Sequence, residues 1–191
     1  MSILTIAGSP SATSRSARLL DWVGERLQQA GERVDQLAVR ELPADDLIGA
    51  RSSAPAIRAA LDRVAGAQAV VIATPVYKAA FSGVLKVFLD LLPQYGLAGK
   101  VVLPLATGGS LVHALAIDYA LRPVLAALDA RVVLPGVFVE ERLIDSGDDG
   151  RLQLATAAEV RLADALVRLQ QALPGGRGVA VTTAPELAVA D

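Results

Sequence analysis

The amino-acid sequence predicts an α/β fold, a three-layer doubly wound sheet of five parallel strands, on three observations. Five short runs rich in Val, Leu, Ile and Ala recur along the 191 residues, and most are almost continuously apolar, as strands covered on both faces are. Stretches with helical spacing of apolar residues lie between them, so strand and helix alternate in βαβ units with right-handed crossovers. The first, third and fourth runs each end in a loop of Gly, Ser, Thr or Pro.

The first strand spans 3–7, and a helix over 16–30 follows, with Leu19, Leu20, Val23 and Leu27 on one face and Gly31 as its stop. The second and least apolar strand is 34–37, followed by a helix over 55–66. A third strand at 69–73 leads to a helix over 83–92, and a fourth at 101–106 to a helix over 112–130. The fifth strand, 132–139, precedes a last helix over 156–173. Five strands favour the flavodoxin-like order 2-1-3-4-5 over a longer dinucleotide-binding sheet. Residues 1–173 thus form one domain, and 174–191, opening PGGRG, are expected to be a mobile tail or ordered only against a neighbouring subunit.

Composition narrows the function. The chain is 53% hydrophobic but only 4% aromatic, so Ala, Leu and Val must fill the core. Its mean hydropathy of +0.45 suggests further burial between subunits. With no cysteine and the single histidine His113, disulfides, thiolate chemistry, iron–sulfur clusters and histidine metal clusters are excluded, and no metal is expected. Eighteen basic and 20 acidic residues give a formal charge of −2 with no basic block, which argues against nucleic acid. Apolar runs fall short of the ~20 residues of a membrane span, and no cleavable leader is evident. A cytoplasmic protein is expected.

In a doubly wound sheet, ligands bind beyond the carboxyl ends of the strands where the strand order reverses. Three loops occupy that edge. The first, 8–14, offers Ser9, Ser11, Thr13, Ser14 and the adjacent Arg15 and Ser16 at a helix start, suited to a phosphate or simply to N-capping by Ser14. A P-loop, a dinucleotide fingerprint and a nucleophile elbow all fail there, the last because Pro10 follows Ser9. A mononucleotide phosphate is the sharpest remaining assignment. The second, 74–82, places Pro75 and Tyr77 where an aromatic can flank a flat ring or cap the core with Phe81. The third brings Gly108 and Gly109 after a buried strand, either as a plain turn or to let backbone N–H groups approach a ligand.

Four runs carry a family resemblance: AGSPSATSRS, ATPVYKAAFSGVLKVFLDLLP, GKVVLPLATGG and HALAIDYALRPVLAAL. Over roughly residues 1–140 the chain resembles the NADPH-dependent FMN reductases of the flavodoxin-like superfamily, most closely the reductase component of two-component alkanesulfonate monooxygenase systems. The resemblance implies FMN held by Ser9, Ser14, Arg15 and Ser16 at its phosphate and by Pro75, Val76, Tyr77 and Lys78 along the ring edge. It places Thr107, Gly108 and Gly109 near the pyrimidine side. Many family members have an arginine where this chain has Ser11, which implies either a looser hold on the phosphate or one that rests more heavily on Arg15.

The resemblance further implies NADPH as hydride donor, with FMN exchangeable or retained, and a monooxygenase partner that uses reduced FMN. Arg15, Arg18 and Lys78 are candidates for a 2′-phosphate. The helix over 112–130 is apolar nearly all round apart from Asp118 and Arg122, as expected of a dimer or tetramer interface, and Pro123 should bend it. In the resembled reductases this region carries a π-helical bulge at a tyrosine matching Tyr119, expected to modulate flavin exchange. Hydride transfer to a flavin needs no general base, so His113 is expected to be a polar contact at the site edge or interface. A quinone or azo reductase retaining FMN, a flavodoxin-type electron carrier, and a non-catalytic interaction module are the alternatives.

Overall fold

A computed structural model of the chain describes residues 2–146 and 152–173. The tail expected at 174–191 lies outside the described residues. Strands β1 (Ser2–Ala7), β2 (Arg33–Ala38), β3 (Ala69–Tyr77) and β5 (Val101–Gly108) run parallel in the spatial order β2-β1-β3-β5. A fifth position beside β5 is filled by two segments, β6 (Val132–Val133) and β7 (Val137–Glu140). Its order is that expected of five strands, 2-1-3-4-5.

The fifth strand is broken for a reason that lies in its neighbour. Val132 and Val133 stand opposite Val101 and Val102, and Val137 stands opposite Leu105, so four steps on one strand meet three on the other. The surplus is a bulge over 134–136. Leu134 N–H donates to Val102 C=O at 2.9 Å, so Val102 turns its polar groups toward the fifth strand. Pro104, two residues on, faces the same way and has no N–H, so the bulge passes the one place on β5 where there is no donor to pair.

Three further short strands among the described residues were not expected. β4 (Ala80–Phe81) folds back antiparallel on the end of β3, and β8 (Ile144–Ser146) pairs antiparallel with β9 (Leu152–Leu154). Of the helices, α1 (Arg15–Gln29) and α6 (Thr156–Ala172) cover one face of the sheet. The other face is covered by α2 (Ala44–Ile48), α3 (Pro55–Gly66), α4 (Gly83–Leu89) and α5 (Arg122–Ala127). Along β3 the side chains alternate accordingly: Ala69, Val71 and Ala73 pack toward α1 and α6, while Val70 and Ile72 pack toward α3 and α4. Full burial of an Ile, Leu or Phe such as Phe88 contributes roughly 1.5–3 kcal/mol. Helix α1 ends as Gly31 predicts, with φ of +86° and the paired bonds Gly31 N–H to Gln28 C=O and Glu32 N–H to Leu27 C=O at 2.9 and 3.0 Å.

The helix expected over 112–130 is three pieces: a 3-10 turn Leu111–Ala114, a π-helical turn Ile117–Leu121, and α5. Pro123 explains the widening. It has no N–H for the carbonyl of Tyr119, four residues earlier, and its ring would crowd that carbonyl in a regular helix. In the wider turn Arg122 N–H instead reaches Ile117 C=O, five residues back. Arg122 also ties this turn to the bulged strand through the carbonyls of Val133 and Leu134, both at 3.3 Å.

Candidate functional site

The strand order reverses between β1 and β3, and the chain leaves β1 for α1 on one face and β3 for α4 on the other. A crevice opens there. Gly8 closes its floor: its N–H donates to Ala73 C=O at 2.8 Å, and its C=O accepts the Ser82 hydroxyl. Leu85 packs so near that a Cβ on Gly8 would lie 2.8 Å from Leu85 Cβ. Ser82 also caps α4, accepting Leu85 N–H at 3.1 Å, so one hydroxyl joins the first loop to the second.

Within the first loop the serines divide. Ser9 is buried and accepts Ser11 N–H at 3.2 Å. Buried Ser16 shares a bond of 3.2 Å with Ser14, which caps α1 by accepting Ala17 N–H at 3.1 Å. Ser9 and Ser16 therefore shape the loop from beneath, while Ser11, Thr13, Ser14 and Arg15 line its open side. The amides of the first turn of α1 have no acceptor within the helix and add their positive dipole end to the same side.

In the second loop β3 runs on through Pro75 to Tyr77, beyond the strand end expected at Ala73. Thr74 secures it by accepting Ser82 N–H at 3.0 Å. Lys78 and Ala79 then turn the chain back with φ of 51° and 63°, a two-residue hairpin turn that normally takes glycine or asparagine. The result is that Val76 lies half-buried, Tyr77 stands half-exposed at the mouth of the crevice, and Lys78 sits on the exposed tip.

The third loop starts with buried Thr107 and Gly108. A Cβ on Gly108 would lie 3.2 Å from the Phe138 ring and 3.3 Å from His113 Nδ1, whereas Gly109 faces open space. His113 Nδ1 is buried and without a hydrogen-bond partner.

These parts enclose a cavity of about 530 Å³ lined by Ser11, Thr13, Ser14, Arg15, Arg18, Pro75, Tyr77 and Thr107. Of the residues expected at a site, Ser14, Arg15, Pro75, Tyr77 and Thr107 line it directly. Ser9, Ser16, Val76, Lys78, Gly108 and Gly109 lie in the loops that frame it. Three lining residues came from beyond the loops considered: Glu141, Ile144 and Asp145, which follow the fifth strand. The carboxyl-edge rule would have found them, since the loop after the fifth strand ends on the same edge. Arg15 Nη1 pairs with Glu141 Oε2 across the cavity at 3.2 Å. Next to it Arg142 binds Glu140 at 2.9 and 3.2 Å and holds that carboxyl below its usual range.

The chemistry of this set fits a flavin mononucleotide. Hydroxyls, a helix start and two arginines at one end suit a phosphate, an aromatic edge at the other suits a flat ring, and the volume is within the ordinary span of small-molecule sites. The unpaired His113 Nδ1 beside the glycine loop also suits a ligand with a hydrogen-bonding edge. A larger hollow of about 770 Å³ lies along α1 and β9, but the Trp22 ring that would serve it is covered by the Arg26 guanidinium at 4.7 Å.

Comparison with known proteins settles the family. The model of the NADPH-dependent FMN reductase family matches residues 1–142. The chain belongs to that family. It is an oxidoreductase whose cofactors are FMN and NADPH. An FMN reductase (NADPH) of Pseudomonas putida is 46% identical over 174 residues, covering 91% of this chain and 88% of that protein. Its counterpart in Escherichia coli is 45% identical, covering 91% and 90%. Among solved structures, the apo form of an NADH:FMN oxidoreductase, EmoB, superposes with a TM-score of 0.81 at 35% identity, covering 92% of this chain and 93% of that one.

Proposed function

We propose that this reductase is a flavin supplier: it reduces FMN with NADPH and releases the product to a separate FMNH2-dependent monooxygenase that cleaves alkanesulfonates in sulfur acquisition. The observation that carries the site assignment is the meeting of Ser14, Arg15, Pro75, Tyr77 and Thr107, from three loops, around one cavity. When bound, FMN supplies the hydride acceptor. The chain's own groups supply position and field.

Ser14, Arg15 and the first-turn amides of α1 take the phosphate, over a loop kept in shape by Ser9 and Ser16. Pro75, Val76, Tyr77 and Lys78 border the ring, with the Ser82–Gly8 bond fixing their distance from the phosphate loop. Thr107, Gly108 and Gly109 face the pyrimidine side, where backbone donors oppose developing negative charge. No side chain acts as nucleophile or general acid.

Release of flavin is tied to assembly. Leu111, Val112, Leu115 and Tyr119 expose large apolar side chains from one stretch of chain, Val112 at 77% and Tyr119 at 79%. Such a patch suits a homo-oligomer contact, dimer or tetramer, and the role assigned to Tyr119, which lies in the π-helical turn within this stretch, is to modulate flavin exchange from that contact. Among the described residues no helix is long and apolar enough to cross a membrane, in keeping with a cytoplasmic enzyme.

The test is an absorbance spectrum of the purified protein followed by oxidation of NADPH, and of NADH, with and without added FMN. Colourless protein that oxidises NADPH only when FMN is supplied, and that drives sulfite release by an added alkanesulfonate monooxygenase, is the expected result. Yellow protein that needs a quinone or azo acceptor would replace it with a retained-flavin reductase. No oxidation under any condition would leave an electron carrier.

A further inference from the structure

Glu141 lies where a phosphate-binding site ought not to hold a carboxylate. It opens the 3-10 turn Glu141–Leu143 directly after β7, lines the cavity with Asp145, and occupies Arg15 at 3.2 Å. Its neighbour Arg142 does not neutralise it, being engaged by Glu140. Arg15 and Arg18 are the cavity's lining cations, so two carboxylates share the wall with them. Both partners of the Arg15–Glu141 pair are roughly half exposed, which makes the pair weak and readily exchanged.

Resting on the FMN assignment above, we propose that Glu141 is an affinity-setting residue that competes with the flavin phosphate for Arg15 and so keeps FMN exchangeable. A phosphate that enters must part Arg15 from Glu141 and then lie beside a like charge. Both effects weaken binding of the phosphorylated flavin and neither touches the ring. Glu141 therefore acts on the phosphate, through charge, and leaves affinity for the dephosphorylated flavin as it is.

The experiment is a fluorescence titration of the whole protein with FMN and with riboflavin, at low and high salt, for the parent, Glu141→Gln and a matched charge control, Glu32→Gln, which stands just before β2 at the opposite edge of the sheet. Glu141→Gln is expected to tighten FMN about 3- to 10-fold with riboflavin changed less than about 2-fold, and the gain should shrink in ~1 M salt. Glu32→Gln should move neither ligand. Equal tightening of both flavins, no change, or weaker FMN binding by Glu141→Gln would overturn the proposal while leaving the FMN site intact. A parent that binds neither flavin would overturn the site assignment, and this proposal with it.

Discussion

Replacing Gly8 with alanine tests whether the crevice floor is as tightly closed as its bonds indicate. The new methyl would lie 2.8 Å from Leu85 Cβ and 3.1 Å from Leu85 Cγ, against an optimum of roughly 3.5–4.0 Å for carbon pairs. Leu85 Cβ is next to the backbone of α4 and cannot rotate away. Gly8 cannot retreat either, being held by Ala73 C=O on one side and the Ser82 hydroxyl on the other. Relief requires α4 or the loop after β1 to shift by about 0.6 Å or more, and overpacking of this kind costs about 1–3 kcal/mol. For a domain of this size that lowers Tm by roughly 2–12 °C. Scanning calorimetry gives the stability and an FMN titration the affinity, both of which should fall. Gly109→Ala is the comparison: nothing lies within 4 Å of its added Cβ, so Tm should hold while FMN binding weakens. A Gly8→Ala protein with the parent's Tm and FMN affinity would refute the clamped floor.

Three other substitutions probe separate parts of the molecule. Tyr119→Ala should leave subunit stability nearly unchanged, given its exposure of 79%, yet yield yellow protein with slower turnover of free FMN; colourless protein with normal turnover would remove Tyr119 from flavin exchange. Ala79→Gly should be neutral or stabilising because its φ of 63° suits glycine, and Ala79→Val should destabilise by about 1–3 kcal/mol, as denaturant titrations would show. The hydrogen bonds from Arg63 lower the Asp35 pKa, so that pair stabilises the fold above the ordinary carboxylate range and loses its effect as pH falls through the depressed value. Asp35→Asn should therefore lower stability near neutral pH by under about 1 kcal/mol for so exposed a pair, with Tm falling slightly, and the gap to the parent should close in a pH series toward acid.

Much of the fold was legible because burial on both faces writes itself into β1, β3 and β5 as nearly continuous apolar runs. Helix α1 announced itself through its 3.6-residue pattern and Gly31. What escaped had no such signature. Helix α2 is a five-residue turn, too short for a periodic pattern, and β4 depends on positive φ at Lys78 and Ala79, residues that do not advertise a hairpin. The break in the fifth strand arises from Pro104 on the neighbouring strand, a tertiary cause. In the site, the Ser and Gly loops were legible from composition, but buried Ser9 and Ser16 could not be told from lining Ser14 without coordinates. Glu141 and Asp145 were missed because two acidic residues in a charged loop look like solvated surface, and only the sheet edge brings them to the cavity, Glu141 against Arg15.

A crystal structure of the FMN complex would decide where the flavin sits. The phosphate is predicted within hydrogen-bond distance of Ser14 Oγ and the first-turn amides of α1, with Arg15 swung off Glu141 and the ring edge along Pro75–Tyr77. Flavin density elsewhere, as in the hollow beside Trp22, or a phosphate remote from the start of α1, would contradict it.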